Sequence, residues 1–132
     1  MVLVDTSVWI DFLSSSPKPA SLKLPHLIEA RQVVTSFVVL AEVLSGQMQD
    51  KTRNAIRDSF QSLGRVDADW NTMQTWDSVS QIAIEIRSRK LKVPGLVDRM
   101  LFYSARQHSA LIWTYDLKLG ALARYFKMNF VP

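Results

Sequence analysis

The chain has 132 residues, 48% hydrophobic and 21% charged, which supplies a core and argues against disorder. It has no cysteine, which excludes disulfides, thiolate nucleophiles and Cys-ligated zinc. There is also no run of roughly 18 apolar residues to serve as a membrane span. The net charge of +4 suits an anionic partner such as nucleic acid, and equally suits simple solubility.

The length suits one domain over residues 1–132. The N-terminus opens on a strand-like run without the basic flank of a signal peptide. The expected location is a reducing cytoplasm. VLV at 2–4 lacks polar alternation, as in a strand covered on both faces. SVWIDFL then reads as a short helix, SSSPKP at 14–19 as a loop, and residues 20–30 as a helix started or interrupted at Pro25. VVT at 33–35 is a second strand. FVVLAEVL is rich in β-branched residues, yet Phe37, Leu40, Ala41 and Leu44 recur at helical spacing. With Ser36 as N-cap and Gly46 as stop, the segment is predicted as helix.

Residues 51–62 form a further helix and RVD at 65–67 a weak third strand. Asp69 is expected to cap a long helix reaching about Lys90, with Val79, Ile82, Ala83 and Ile86 on its buried face. VPG at 93–95 breaks the chain. A helix over 97–108 follows, with Val97, Leu101, Ala105 and His108 on one side. LIWT at 111–114 is the fourth strand, LKLGALARYF the last helix and MNFV a possible fifth strand. Short buried strands alternating with helices imply βαβ units, hence an α/β fold with a mostly parallel central sheet of four to five strands.

Two strands run directly into acids: VLV into Asp5, and LIWT into Tyr115-Asp116. In open α/β sheets ligands bind beyond the carboxyl ends of the strands, where strand order reverses. If the first and fourth strands are neighbours, Asp5 and Asp116 share one crevice. Glu42 interrupts an apolar helix and Asp98 opens the helix after VPG, and both can reach that crevice. Singly, Asp5, Asp98 and Asp116 read equally well as helix caps or dipole partners, and Glu42 as an acid that pairs or surfaces. Together they favour a cation site, because two carboxylates about 4 Å apart repel by roughly 4 kcal/mol at an effective dielectric near 20. Oxygen donors without histidine suit Mg²⁺ or Mn²⁺. His26 and His108 have no ligand spacing and read as ordinary helix residues.

The motifs DTSVW at 5–9, TSFVVLAEVLSG at 35–46, GLVD at 95–98 and TYD at 114–116 fall in one order along nearly the whole chain. In this the sequence resembles the PIN-domain family, and more narrowly its VapC-type ribonuclease toxins. The resemblance implies a PIN-like three-layer sandwich and a metal-dependent endoribonuclease. It makes Asp5, Glu42, Asp98 and Asp116 the catalytic acids and metal ligands, with one or two ions. Thr6 and Thr114 take the positions that orient carboxylates or water. The implied partners are an RNA substrate, a cognate antitoxin protein and a second copy of the chain in a homodimer, with no membrane. Where the family often carries small apolar residues after the third acid, this chain has Arg99-Met100-Leu101. Arg99 is expected to pair with Asp98 or to touch RNA.

With no cysteine and no histidine base, metal-activated water is the expected nucleophile, giving 5′-phosphate and 3′-hydroxyl ends. Arg87, Arg89, Lys90 and Lys92, just ahead of Asp98, read as an RNA-holding cluster or as a solvated helix end. The four tryptophans suit core or interface packing better than base stacking. Two other functional classes fit the pattern less well. A phospho-receiver or phosphatase-like domain would use the same Mg²⁺ frame, but Asp67 is poorly placed and residue 7 is Ser where a phosphatase needs a second Asp. A catalytically inactive PIN-like module would bind RNA or protein without needing all four acids.

Overall fold

A computed structural model describes residues 1–132. Four strands, β1 (Val2–Val4), β2 (Val33–Thr35), β3 (Gly64–Arg65) and β4 (Leu111–Trp113), form one parallel sheet in the order β3-β2-β1-β4. The helices are α1 (Thr6–Phe12), α2 (Leu24–Glu29), α3 (Phe37–Leu44), α4 (Asp50–Gln61), α5 (Met73–Ser88), α6 (Leu96–Gln107) and α7 (Leu117–Tyr125), with a 3₁₀ turn at Ser21–Lys23. β1 is paired on both sides and buried throughout, which explains its unbroken apolar sequence. The chain lays down β1, β2 and β3 in one direction and then returns to the other side of β1 for β4. Strand order therefore reverses between β1 and β4, as the crevice expected from sequence requires.

Most elements match their sequence expectations, and the departures have physical causes. α3 is a helix capped by Ser36, whose Oγ accepts from Val39 N at 3.2 Å. Its buried residues are Val39 and Val43, while Phe37 is 56% exposed and Ala41 is also exposed. A helix apolar almost all round gives the sequence period no phase. α5 begins at Met73 under a Thr72 cap, and Asp69 instead accepts from Asn71 N at 3.1 Å in the preceding turn. The third strand reduces to two exposed residues, and a short edge strand protects a sheet from edge-to-edge pairing. The possible fifth strand is a single parallel bridge, Ile112 to Asn129. In α6, Leu101 and Ala105 are buried, whereas Val97 and His108 at the ends of that stripe are exposed.

Arg31, Lys90, Ser109 and Lys127 take left-handed backbone, with φ of 56°, 58°, 53° and 57°. Each follows the C-terminus of a helix: α2, α5, α6 and α7. Glycine normally occupies this place because an L side chain is strained there. Three of the four are basic and so complement the negative end of the helix dipole. Ser109 has no such compensation. Ser109→Gly should therefore raise stability by up to about 1 kcal/mol in urea unfolding, and an unchanged or lowered midpoint would contradict the strain.

A cluster of 24 buried residues fills the space between sheet and helices. Phe102 of α6 is fully buried and meets Phe126, just beyond α7, at 5.4 Å between ring centroids. That contact joins the helix that carries Asp98 to the helix that Asp116 caps. Phe102→Ala should cost about 3–5 kcal/mol, read from chemical unfolding with an unchanged m-value. A loss below about 1 kcal/mol would mean that the site does not rest on this contact.

Candidate active site

β1 and β4 pair from Val2–Leu111 to Val4–Trp113, so the residues that follow them emerge side by side. Asp5 is 5% exposed and occupies the N-cap position of α1, but its side chain makes no capping bond. Its Oδ2 instead accepts from Ser7 Oγ at 2.7 Å and from Thr114 Oγ1 at 2.7 Å. Simple capping is therefore not what its carboxylate does. Asp116 is a true cap, with Oδ1 accepting from Leu119 N at 2.8 Å. Glu42 projects from the exposed side of α3 and accepts from Thr6 Oγ1 at 2.6 Å through Oε1. Asp98 lies in the first turn of α6 and is half-buried.

The four acids share one electrostatic field. Burial, followed by the negative charges of Asp5, Asp116 and Glu42, pushes the Asp98 carboxyl up to about 6 from 3.8, while Lys118 opposes the rise. Hydroxyls hold one oxygen each of Asp5 and Glu42, and a backbone N–H holds one of Asp116. The second oxygen of each has no protein hydrogen bond and is free for a cation. No three acidic or histidine side chains form a ready metal-holding group. The unpartnered carboxylate oxygens are the hard donors that Mg²⁺ takes alongside water and substrate phosphate.

Thr6 and Thr114, picked out in sequence, each touch an acid. Ser7, which the sequence does not single out, makes two bonds that build the site: it donates to Asp5 and accepts from Tyr115 N at 3.0 Å. Its signal in sequence is a hydroxyl two residues after the acid. A second network braces the same turn. Ser21 Oγ donates to Asp11 at 2.5 Å and meets Tyr115 Oη at 2.7 Å, and Lys18 Nζ lies 4.4 Å from the Tyr115 ring centroid. The Ser21 hydroxyl, followed by the Lys18 backbone N–H, holds the Asp11 carboxyl below its usual range.

The basic residues separate. Arg87, Lys90 and Lys92 are exposed. Arg89 is engaged elsewhere, donating to Tyr125 Oη at 2.8 Å and lying 3.7 Å from Glu85. Arg99 turns back to donate to the Pro94 carbonyl at 3.2 Å and makes no ion pair with Asp98. Of the tryptophans, Trp9 and Trp113 are buried, and Trp76 donates Nε1 to the Trp70 carbonyl at 2.7 Å.

Fold and crevice together define an α/β protein with an acid-lined site at the switch point of a parallel sheet. The pattern of the PIN domain matches residues 2–125, and the chain belongs to the PIN-domain family. It is similar to VapC ribonuclease Mb1587 of Mycobacterium bovis and to Ribonuclease VapC11 of Mycobacterium tuberculosis. Each is 23% identical over 126 residues, covering 94% of this chain and 92% of the relative. Among solved structures the fold is shared by FitAcB from Neisseria gonorrhoeae, with a TM-score of 0.67, 18% identity and 94% of each chain covered. It is also shared by the sarcin–ricin loop cleaving toxin VapC20 of Mycobacterium tuberculosis, with a TM-score of 0.63, 17% identity and coverage of 92% of this chain and 95% of that one. VapBC2 from Rickettsia felis, bound to a promoter DNA fragment, has a TM-score of 0.65 at 17% identity, covering 97% of this chain and 93% of that one.

The raised Asp98 carboxyl has a consequence for stability. Between about pH 4 and 6 the folded chain keeps a proton that the unfolded chain has released, so the ion-free fold weakens as pH rises through this window. Asp98 is partly exposed, and solvent screening reduces the nominal cost to roughly 1 kcal/mol. Asp98→Asn should therefore melt about 3–5 °C higher than wild type near pH 7.5 in EDTA, with the gap closing toward pH 4. A lower midpoint for the variant, or a gap independent of pH, would contradict the shared field.

Proposed function

We propose that the chain is a metal-dependent endoribonuclease, one nuclease unit over 1–132, and the toxin of a type II toxin–antitoxin pair. One observation carries this reading: three of the acids, Asp5, Glu42 and Asp116, each have one oxygen tied to the protein and the other free, and all three act on Asp98. The names of the similar proteins, VapC ribonucleases and a sarcin–ricin loop cleaving toxin, support ribonucleic acid as the substrate.

Asp5, Glu42, Asp98 and Asp116 would hold Mg²⁺ or Mn²⁺, as one ion or two. The ion, when bound, supplies Lewis acidity at the phosphate and lowers the pKa of water. The remaining work falls to the chain. Thr6, Ser7 and Thr114 fix the carboxylates so that their free oxygens face the crevice. Lys118, on the first turn of α7, brings positive charge beside Asp98. Lys92, Arg87 and Lys90 extend that charge for an approaching phosphate chain, and Arg99 steadies the VPG turn that presents Asp98. The acid after β3, which a phospho-receiver would use, is occupied: Asp67 Oδ1 accepts the Phe37 N–H at 3.0 Å, and Oδ2 forms an ion pair with Arg65 at 2.9 Å from Nε.

An apolar hollow of about 560 Å³ between α1, α2 and α4, walled by Trp9, Phe12, Ile28, Ile56 and Phe60, supports the antitoxin partner. Trp9 Nε1 is buried without an acceptor, which an inserted chain would provide. Exposed Leu96 and Leu117 beside the crevice support a homodimer. No helix is long and apolar enough to cross a membrane.

The test is incubation of purified wild type and Asp5→Asn with total RNA in Mg²⁺, Mn²⁺ or EDTA, with every cut end mapped. Discrete cuts leaving 5′-phosphate and 3′-hydroxyl ends, lost with the metal and reduced at least about 10²-fold in the variant, are expected. A 2′,3′-cyclic phosphate product would overturn the water mechanism. The absence of cleavage by folded, metal-loaded protein would overturn the ribonuclease.

A further inference from the structure

We propose a nucleobase subsite at the carboxyl ends of β2 and β3, formed by Phe37, Arg65 and Gln61, that binds an RNA base close to the acids. The inference rests on the ribonuclease reading and adds a site for substrate selection. Leu3 pairs with Val34, and Thr35 pairs with Arg65, so Asp5 lies level with Ser36 on the same sheet edge. Phe37 and Arg65 are therefore one and two strands from Asp5, about 5 and 10 Å at ordinary strand spacing. A strand of RNA lying along this edge covers that distance in about one to three nucleotides.

The site is held in place before any ligand arrives. Phe37 is 56% exposed, although it sits in an apolar helix. The Arg65 guanidinium carbon lies 4.0 Å from its ring centroid. Asp67 fixes both partners, accepting the Phe37 N–H through Oδ1 at 3.0 Å and facing Arg65 Nε through Oδ2 at 2.9 Å. With Nε lying against Asp67 as an ion pair, the two terminal guanidinium nitrogens remain available to donate to a phosphate or a base edge. Beside the pair lies a cleft of about 140 Å³ lined by Thr35, Ser36, Leu40, Phe60, Gln61 and Leu63. It combines apolar walls with an amide that both donates and accepts.

A flat aromatic face, a stacked guanidinium and an adaptable amide are what a single-stranded base requires. Neither burial nor helix formation accounts for Phe37. Its contribution to the core is small, and Ser36 already caps α3. Contacts to phosphate at the acids and their cation carry no sequence information, so a base contact beside them adds selectivity that the acids cannot.

The experiment uses a short single-stranded RNA copied from around a mapped cut, with an abasic residue placed at each position in turn. Cleavage kinetics are measured for wild type, Phe37→Leu, Phe37→Tyr and Arg65→Gln. In wild type, one abasic position near the cut should lower kcat/KM about 5- to 20-fold. Phe37→Leu should lower kcat/KM on intact RNA by a similar factor and lose its sensitivity to that abasic position. Phe37→Tyr should restore both, and Arg65→Gln should weaken both. If wild type cleaves but no abasic position is coupled to Phe37, the subsite is wrong and the ribonuclease stands. If Phe37→Leu alters oligomer size on a sizing column together with activity, the residue serves self-association and the subsite is again overturned. If wild type cleaves no RNA, both readings fall.

Discussion

Like-charge repulsion at one edge of the sheet sets the terms for this structure. Two carboxylates about 4 Å apart already repel by roughly 4 kcal/mol at an effective dielectric near 20, and this fold brings four to one crevice. Such an arrangement persists only on a frame too stiff to let the acids spread. β1, paired on both sides and buried throughout, provides that frame, and Asp5 leaves it with no freedom to move away from β4. The core behind it is continuous, so a loss of packing at α6 or α7 is felt at the acids. One acid, Asp98, instead relieves the repulsion by holding its proton to about pH 6.

Hydroxyl groups decide how the charge is presented. A backbone N–H can only donate, so Tyr115 N uses a lone pair of Ser7 Oγ, and Asp116 N uses a lone pair of Thr114 Oγ1. Each hydroxyl proton is then aimed at Asp5 Oδ2. The direction of both chains is fixed from backbone to carboxylate, and Oδ2 becomes the protein-bound oxygen while Oδ1 is left without a protein partner. Thr6 donates to Glu42 Oε1 from the neighbouring helix. This places the charge without adding a counter-ion. A salt bridge at Asp5 would satisfy the carboxylate fully and leave nothing for a cation.

The sheet, and Asp5 and Asp116 at the ends of its strands, were legible through local signals, short apolar runs and acids that follow them; Glu42 and Asp98 lie on helices and joined the set only through the order of the motifs. Helix ends were less legible. The expectation that α5 would run to about Lys90 overshot Ser88 by two residues because no glycine marks its end; Lys90 itself takes the left-handed cap. The phase of α3 was not legible either, because FVVLAEVL has a single polar residue, and packing on the sheet chose Val39 and Val43 over Phe37 and Ala41. Ser7 and the Asp11–Ser21–Tyr115 brace depend on contacts between residues up to 108 positions apart, and neither periodicity nor spacing encodes such contacts. The basic cluster was legible as charge but not as availability, since Arg89 is engaged by Tyr125 and Glu85.

That last difference bears on how the proposed enzyme would select RNA. A net charge of +4 suggests a surface that attracts phosphate everywhere, but the charges are unevenly placed. Arg89 and Arg106 both serve Glu85 and the aromatic face of Phe126. Lys18 serves Asp11 and the Tyr115 ring. Lys118 remains beside the acids, with Lys92, Lys90 and Arg87 exposed. Phosphate contacts of this kind position a strand but do not distinguish sequences. The crevice itself offers carboxylates, which in the proposed enzyme are engaged by the cation rather than by a base. Discrimination among RNAs must then come from groups beyond the acids that meet bases directly. Along the carboxyl edge, an exposed aromatic ring paired with an anchored guanidinium is found at Phe37 and Arg65.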